Sequence, residues 1–352
     1  MKKIRIGHMG IAHDHSYAKL ETVMKYPEIF EVVGIYEPND QLWENEKHRP
    51  CYQALKRMTK EELFDQKPDA MLIESYELDL VAMAQECVDR GIHVHLDKPG
   101  GDDIHAYHKL LKSAQEKGVV MQLAYMFRYN PGVLYALEAV RSGKLGRIYE
   151  VDAIMNVHHS VYKRTWQKGF DAGIMFFLGC HMVDLIYLFQ GQPNRVIPMN
   201  RRTGIDGVDV VDHGFALMEY DNGISVARSN STEVNGSARR QLVICGEKGT
   251  IEINPLEASS YERYAGIRMT LTDYYPEVKE DPRMPFVGYF GDFSREVPIE
   301  PVAGRYDSML MDFAEFVWGN KVNPYTYEYE FEVHKLILAA CGQDIDYKNM
   351  PY

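Results

Sequence analysis

The chain has 352 residues, enough for two domains with separate cores. Lys and Arg number 39 against 51 Asp and Glu, and a formal charge of −12 leaves no basic stripe for nucleic acid. No apolar run reaches the ~18 residues of a membrane span, and five scattered cysteines with no CxxC spacing point to a reducing cytoplasm rather than a disulfide or zinc framework.

The start, MKKIRIGHMG, runs straight into a strand pattern at 3–9, without the apolar h-region of a signal peptide. A helix of roughly 14 residues should begin near Asp14 and end before Pro27. FEVVGIYE (30–37), DAMLIES (69–75), IHVHLD (92–97) and VVMQLAY (119–125) read as buried parallel strands. Between them, Leu80, Ala84, Cys87 and Val88 share one helical face in 78–90, as do Ile104, Tyr107, Leu111 and Ala114 in 104–117. This alternation predicts a doubly wound, Rossmann-type parallel sheet over residues 1–125. After about residue 146 the pattern changes. A helix at 173–190 precedes alternating runs at 209–220, 224–232, 241–246 and 249–254, joined by the hairpin turns YDNGIS and GEKGT. Residues 126–352 are therefore expected to form an α+β domain on an open, mainly antiparallel sheet. The stretch 260–305 reads as irregular, and helices at 307–319 and 327–342 close the chain, placed so that they could pack back on the first domain.

The stretch GHMGIAHDHSY (7–17) admits two readings. A dinucleotide loop needs a strand, a tight glycine turn and a helix N-terminus facing the pyrophosphate. Gly10 can be the first glycine, but the second falls on Ala12 and the third on His15. Gly10, Ile11, Ala12 and His13 would then line the cofactor. Glu37, at the end of the second strand, suits ribose hydroxyls and repels a 2′-phosphate, which favours NAD over NADP. A metal site would instead use His13 and His15. Residues two apart on a helix do not share a face, so chelation needs an extended loop and a third ligand, for which His158, His159, His181 and His213 are candidates. Without HExxH or CxxC spacing the cofactor loop is preferred, and no metal is expected.

Four ordered segments carry a resemblance: GIHVHLDKPGG (91–101), MQLAYMFRYNPGV with SGKLGRIYEV, DAGIMFFLGCHMVDLIYLF (171–189) and CGEKGTIEI (245–253). Over nearly its whole length the chain resembles the glucose–fructose oxidoreductase/inositol dehydrogenase/rhizopine-catabolism (Gfo/Idh/MocA) family of NAD(P)-dependent oxidoreductases. The resemblance implies that Lys98 is the lysine touching nicotinamide and substrate hydroxyl, and His181 the proton-transferring histidine. Asp184 matches an aspartate one turn later, structural or on the substrate side. Ser75 and Asp97 would lie near the nicotinamide and its ribose, Asp97 replacing the family's glutamate. Three positions depart from the pattern. Phe177 stands where an aspartate precedes the histidine by four residues, Asp79 replaces a second histidine, and ESYE (74–77) replaces a Thr-Pro-Asn type turn.

Hydride transfer from a carbinol needs a base for the hydroxyl proton, a role suited to histidine near neutrality. A lysine ammonium can steady the alkoxide. Tyr125, Arg128, His158 and Trp166 are candidates to line a polyhydroxylated substrate or to brace the domain junction. The expected function is an NAD-dependent dehydrogenase acting on a sugar, polyol or cyclic alcohol, forming a homodimer or homotetramer through its second sheet. One rival retains NAD and uses transient oxidation for elimination or glycoside cleavage. Another is a non-catalytic nucleotide- or sugar-binding regulator.

Overall fold

A six-stranded, wholly parallel sheet forms from the N-terminal half of the chain. The computed structural model describes residues 2–257, 266–275, 291–300 and 302–352. In chain order the elements are β1 (Ile4–Met9), α1 (Ser16–Met24), β2 (Phe30–Tyr36), α2 (Asp40–Glu46), α3 (Pro50–Gln53), β3 (Arg57–Met58), α4 (Lys60–Asp65), β4 (Ala70–Ile73), α5 (Leu80–Asp89), β5 (His93–Leu96), α6 (Ile104–Lys117) and β6 (Met121–Leu123). The strand order β3-β2-β1-β4-β5-β6 reverses direction of growth between β1 and β4. In such sheets ligands bind outside the carboxyl ends of the strands at that switch point. Every residue of β4 is buried, as a strand covered on both faces requires. Helix α6 ends where predicted, because Gly118 takes the left-handed φ of 62° that closes a helix.

Helix α1 is shorter than the sequence predicts: nine residues, starting at Ser16. The backbone of the preceding turn is committed elsewhere. The His13 N–H donates to the Glu74 carbonyl and the Ser16 N–H to the His13 carbonyl, at 3.0 and 3.1 Å, so residues 13–15 stay outside the helix.

The chain divides into two compact units. The first comprises Met1–Met126, Ala303–Leu338 and Ile345–Tyr352, and the second Phe127–Val302 with Ala339–Asp344. The second is built from α7 (Pro131–Arg141), β7 (Ile148–Ile154), α8 (Val161–Trp166), a π-helical turn at Met175–Gly179, α9 (Cys180–Gln190), β8 (Arg195–Pro198), β9 (His213–Tyr220), β10 (Gly223–Asn230), β11 (Gln241–Gly246), β12 (Gly249–Ile253), β13 (Ile267–Leu271) and β14 (Arg295–Val297). Its eight strands run in the order β14-β13-β12-β11-β7-β10-β9-β8, antiparallel except for the β7–β10 pair. Helix α9 packs on β7 and β10. Val151, Ala153, Ala216, Ala227 and Ile244 are buried in this sheet.

Strands β13 and β14 correct the expectation of an irregular 260–305. Residues 258–265, 276–290 and 301 lie outside the described residues. The remaining helices are α10 (Asp307–Val317) and α11 (Tyr327–Cys341). Within the first unit the Gln122 side-chain amide donates to the Met309 carbonyl at 3.1 Å, and the Tyr327 hydroxyl accepts from the Met121 N–H at 3.1 Å.

Three histidines away from the loop after β1 are sealed in this unit: His8 against the Ser16 hydroxyl (2.8 Å), His95 against Gln122 Oε1 (2.8 Å), and His334 beside the Tyr107 ring (4.4 Å between centroids). Burial pushes each down to about 3. Their unfolded value is about 6.5, so the unfolded chain binds more protons below that pH. Stability is therefore present above about pH 6.5 and falls as pH drops towards 3, by about 1.4 kcal/mol per pH unit for each ring. Urea midpoints at pH 7.5, 6.5 and 5.5 should fall in that order. His95→Gln should flatten the fall by one ring's share, and an unaltered slope would count against a neutral His95.

Candidate active site

The loop after β1 is pressed against the end of β4. Gly10 has φ +84°, and a Cβ there would lie 2.7 Å from the Ser75 Cα, so this position needs glycine for both reasons. The Ile11 N–H donates to Glu37 Oε2 at 2.8 Å, and the Asn39 N–H to Oε1 at 2.7 Å. Glu37 thus ties the end of β2 to the glycine turn. Each carboxylate oxygen has a second lone pair for a ribose hydroxyl. Burial raises the Glu37 pKa against those two hydrogen bonds. Beside it lies a cavity of about 520 Å³ lined by Tyr36, Glu37, Pro38, Arg57, Met58 and Thr59, among others. Helix α1 has no side-chain cap at His15, which leaves its N-terminal dipole to an outside anion. These residues fit a dinucleotide at its adenosine end: the switch-point strand order, the Gly10 turn and the Glu37 carboxylate are all in place.

Farther along the same strand ends the charges are internal. Lys19 projects from α1 and sets its ammonium 2.8 Å from Glu74 Oε1 and 2.5 Å from Asp97 Oδ2, all three side chains fully buried. Asp97 Oδ1 accepts the Lys98 N–H at 2.6 Å. His13 Nδ1 lies 3.0 Å and His15 Nδ1 3.6 Å from Asp97 Oδ2, while His13 Nε2 lies 3.4 Å from Glu77 Oε1. Burial works against charge on Asp97, yet His13, Lys19 and His15 around it hold its carboxyl well below the usual range. Glu74 goes the other way. Burial and then the adjacent Asp97 push it well above the usual range. Two carboxylates sharing one ammonium split in this manner. Burial lowers His13 far below the ordinary imidazole value and takes His15 down to about 4.

The structure therefore gathers Gly10, Ile11, His13, Glu37, Ser75, Asp97 and Lys98 at the carboxyl ends of one sheet; Lys98 is fully buried and Ala12 partly so. It also places His13, His15 and Asp97 within 4.8 Å of one another. The third group beside the two histidines is Asp97, not one of the four histidines that spacing offered as candidates. Sequence reasoning missed Lys19, Glu74 and Glu77 as a cluster. The signal for Lys19 was its place on the apolar stripe Ser16–Lys19–Leu20–Val23, all buried, where an unpaired lysine would be untenable.

In the second unit, His181 opens α9 and is 1% exposed, with the Phe127 ring edge-on at 5.2 Å. Phe177, at the position of the family aspartate, lies in the π-helical turn and joins an aromatic group. The Trp166 and Phe170 rings are 5.3 and 6.3 Å away. His158 is exposed, Trp166 partly buried and Tyr125, in the first unit, 2% exposed.

A family model described as "Oxidoreductase family, NAD-binding Rossmann fold" matches residues 4–125, and one described as "GFO/IDH/MocA C-terminal domain" matches residues 133–252. The chain belongs to the Gfo/Idh/MocA family. Among curated proteins it is 25% identical over 223 residues to inositol 2-dehydrogenase 2 of Saccharopolyspora erythraea, covering 61% of this chain and 63% of that one. It is 29% identical over 175 residues to D-xylose 1-dehydrogenase (NADP(+)) 2 of Haloferax volcanii, 47% and 50% of the two chains. The match thus spans less than two thirds of either relative. With scyllo-inositol 2-dehydrogenase (NADP(+)) IolW of Bacillus subtilis it shares 23% over 260 residues, 72% and 70% of the two chains. Its fold is that of the aldose-aldose oxidoreductase of Caulobacter crescentus (TM-score 0.76, 15% identity, 96% of each chain). It is also that of the 3-ketoreductase KijD10 of Actinomadura kijaniata (TM-score 0.76, 16% identity, 96% and 97%).

Two candidates that the sequence leaves open between a substrate contact and a bracing role are paired in the structure. The Arg128 guanidinium grips Asp184 with Nε at 2.9 and 3.1 Å and Nη2 at 2.6 Å, both side chains 1% exposed. Burial raises the Asp184 pKa and Arg128 opposes it. A buried bidentate pair braces α9 against the segment before α7. Asp184→Ala, which strands the guanidinium, should cost about 3–5 kcal/mol in urea unfolding, and pairing it with Arg128→Met should restore most of that. An unchanged midpoint with a raised KM would return Asp184 to substrate binding.

Proposed function

We propose that this family member is an NAD-dependent dehydrogenase acting on a hydroxyl-bearing carbon of a sugar, polyol or cyclic alcohol. The observation that carries the reading is the fully buried Lys98, directly after Asp97 at the end of β5, on the sheet edge where Gly10 and Glu37 form a dinucleotide turn. The named activities of the inositol and xylose relatives agree in substrate class.

Gly10, Ile11, Ala12, His13, Glu37, Ser75, Asp97 and Lys98 would hold the cofactor. When bound, the nicotinamide supplies the hydride exchange with the carbinol carbon. The Lys98 ammonium steadies the oxygen as its proton leaves, and His181 accepts that proton. Trp166, His158 and Tyr125 are assigned to the polyhydroxylated ligand. The Glu37 carboxylate repels a 2′-phosphate, which supports NAD over NADP. Arg57 does not offset it at close range, being engaged with the Glu37 carbonyl and with Asp40 Oδ1 at 2.6 Å. With Phe177 in place of an aspartate, a second reading stands: retained NAD serving transient oxidation in elimination or glycoside cleavage.

Five cysteines outside any disulfide support a reducing, cytoplasmic setting, and no described helix is long and apolar enough to cross a membrane. Leu217, Val226 and Val243 are half-buried and Ile224 is 52% exposed on the same sheet, which supports pairing with a second copy as a dimer or tetramer.

Fluorescence titration of the purified protein should show tighter binding of NADH than of NADPH. Equal or reversed affinities would overturn the assignment to Glu37. Lys98→Met should abolish turnover of a sugar alcohol while leaving NADH affinity within a few-fold, and full activity in that variant would remove Lys98 from the chemistry. Net NADH release during turnover separates the dehydrogenase from the retained-cofactor reading.

A further inference from the structure

We propose that His13, His15 and Asp97 form a binding site for a divalent transition cation of the zinc class, built into the loop between β1 and α1. The three residues each offer one ligand atom, and those atoms lie within 4.8 Å of one another. A tetrahedral ion with bonds of about 2.0–2.1 Å sets its ligand atoms about 3.3 Å apart. The two separations measured from Asp97 Oδ2, 3.0 Å to His13 Nδ1 and 3.6 Å to His15 Nδ1, bracket that value. Two imidazoles and one carboxylate are donors for zinc or iron(II) rather than for magnesium or calcium, whose sites are made of oxygens.

The surroundings carry the further marks of a metal site. The His15 backbone N–H donates to His13 Nδ1 at 3.3 Å, a long hydrogen bond that a metal on this nitrogen would displace. The opposite nitrogen, Nε2, lies 3.4 Å from Glu77 Oε1. A carboxylate behind a ligating histidine holds the ring and its tautomer in the orientation a metal requires. Among the described residues, three buried carboxylates (Glu74, Glu77 and Asp97) gather here with two buried ammonium groups (Lys19 and Lys98). Lys19 is the competitor, with its ammonium 2.5 Å from the same Asp97 oxygen. It has a second partner in Glu74, 2.8 Å away, towards which it would lean.

His13 and Asp97 are sealed, while the His15 side chain keeps 13% exposure. Solvent therefore reaches the cluster along His15. Three protein ligands leave a tetrahedral ion one position for an oxygen from outside the chain. The loop's departure from three-glycine spacing acquires a reason: His13 and His15 are ligands placed on a turn that the His13–Glu74 backbone bond keeps non-helical.

The test uses the full chain, stripped with a chelator and titrated with Co²⁺ alone, so it depends on neither turnover nor dinucleotide. One equivalent should bind and give the intense visible bands of a four-coordinate ion. His13→Ala and His15→Ala, checked for folding by circular dichroism, should each lose the bands and at least 100-fold in affinity. Glu77→Gln should weaken binding about 10–100-fold while leaving the band positions unchanged. Absence of stoichiometric Co²⁺ uptake by the unaltered protein overturns the site, whatever the variants do. So does an alanine variant that binds with unchanged affinity and spectrum. Neither result bears on NADH binding, so the failure of this proposal and the failure of the dehydrogenase reading are separable.

Discussion

The first unit is organised around one carboxylate, that of Asp97. It stands at the carboxyl end of a central parallel strand with no exposure, where a lone charge is untenable. Each of its oxygens is therefore met: Oδ1 by the next residue's N–H, Oδ2 by an ammonium brought from α1. That requirement fixes the face α1 turns inward, because Lys19 must reach the sheet between Ser16 and Val23. It also bears on the glycine turn, since a loop with His13 and His15 against Asp97 cannot continue as helix. Where the family pattern has the longer glutamate, the shorter aspartate keeps the charge close to the strand, so its partners have to come to it.

The sharing of Lys19 between Asp97 and Glu74 has a chemical consequence. Two carboxylates on one ammonium in a dry site do not ionise alike. Asp97, with Lys19 closer and a backbone N–H besides, keeps its charge, and Glu74 is driven towards its protonated form. This raised carboxyl, just after β4, is the first residue of the ESYE turn that replaces the usual Thr-Pro-Asn type. The departures from the family pattern at His15, Glu74, Glu77 and Asp97 are parts of one cluster rather than independent losses. A site that had merely decayed would have no reason to keep its charges in mutual register.

Much of this is legible in the sequence alone, and the boundary is physical. Apolar strands such as Ala70–Ile73 are written in contiguous residues, as is the Ile104–Lys117 helix, whose stripe and terminal glycine agree. Strand β7 (Ile148–Ile154) follows α7 after six residues and is partly exposed along its first three residues, so its buried face shows only from Val151 onward. The two-residue β3 is too short to show any period. The ion cluster joins residues 55 and 78 positions apart, a distance no local pattern spans. Arg128 and Asp184 each stand out as unusual, but a residue that binds substrate and one that braces a helix look alike until the partner is seen.

Phe177 shows what the second unit did with a missing charge. A phenyl ring neither accepts a proton nor anchors an imidazole N–H, so it cannot replace an aspartate four residues before His181. It packs instead with Trp166 and Phe170, and the Lys163 ammonium lies 3.4 Å from the Trp166 centroid and 4.7 Å from that of Phe177. That ammonium is held by ring faces, an attraction that needs no ionised partner. The turn carrying Phe177 is π-helical, and a Cβ on Gly179 would lie 2.3 Å from Met175 Sδ, so glycine there admits that side chain beneath the start of α9. Such turns recur at functional sites, because the extra residue rotates the next helical turn relative to the one before it. In this chain that next turn carries His181. The edge of the Phe127 ring packs against it at 5.2 Å between centroids.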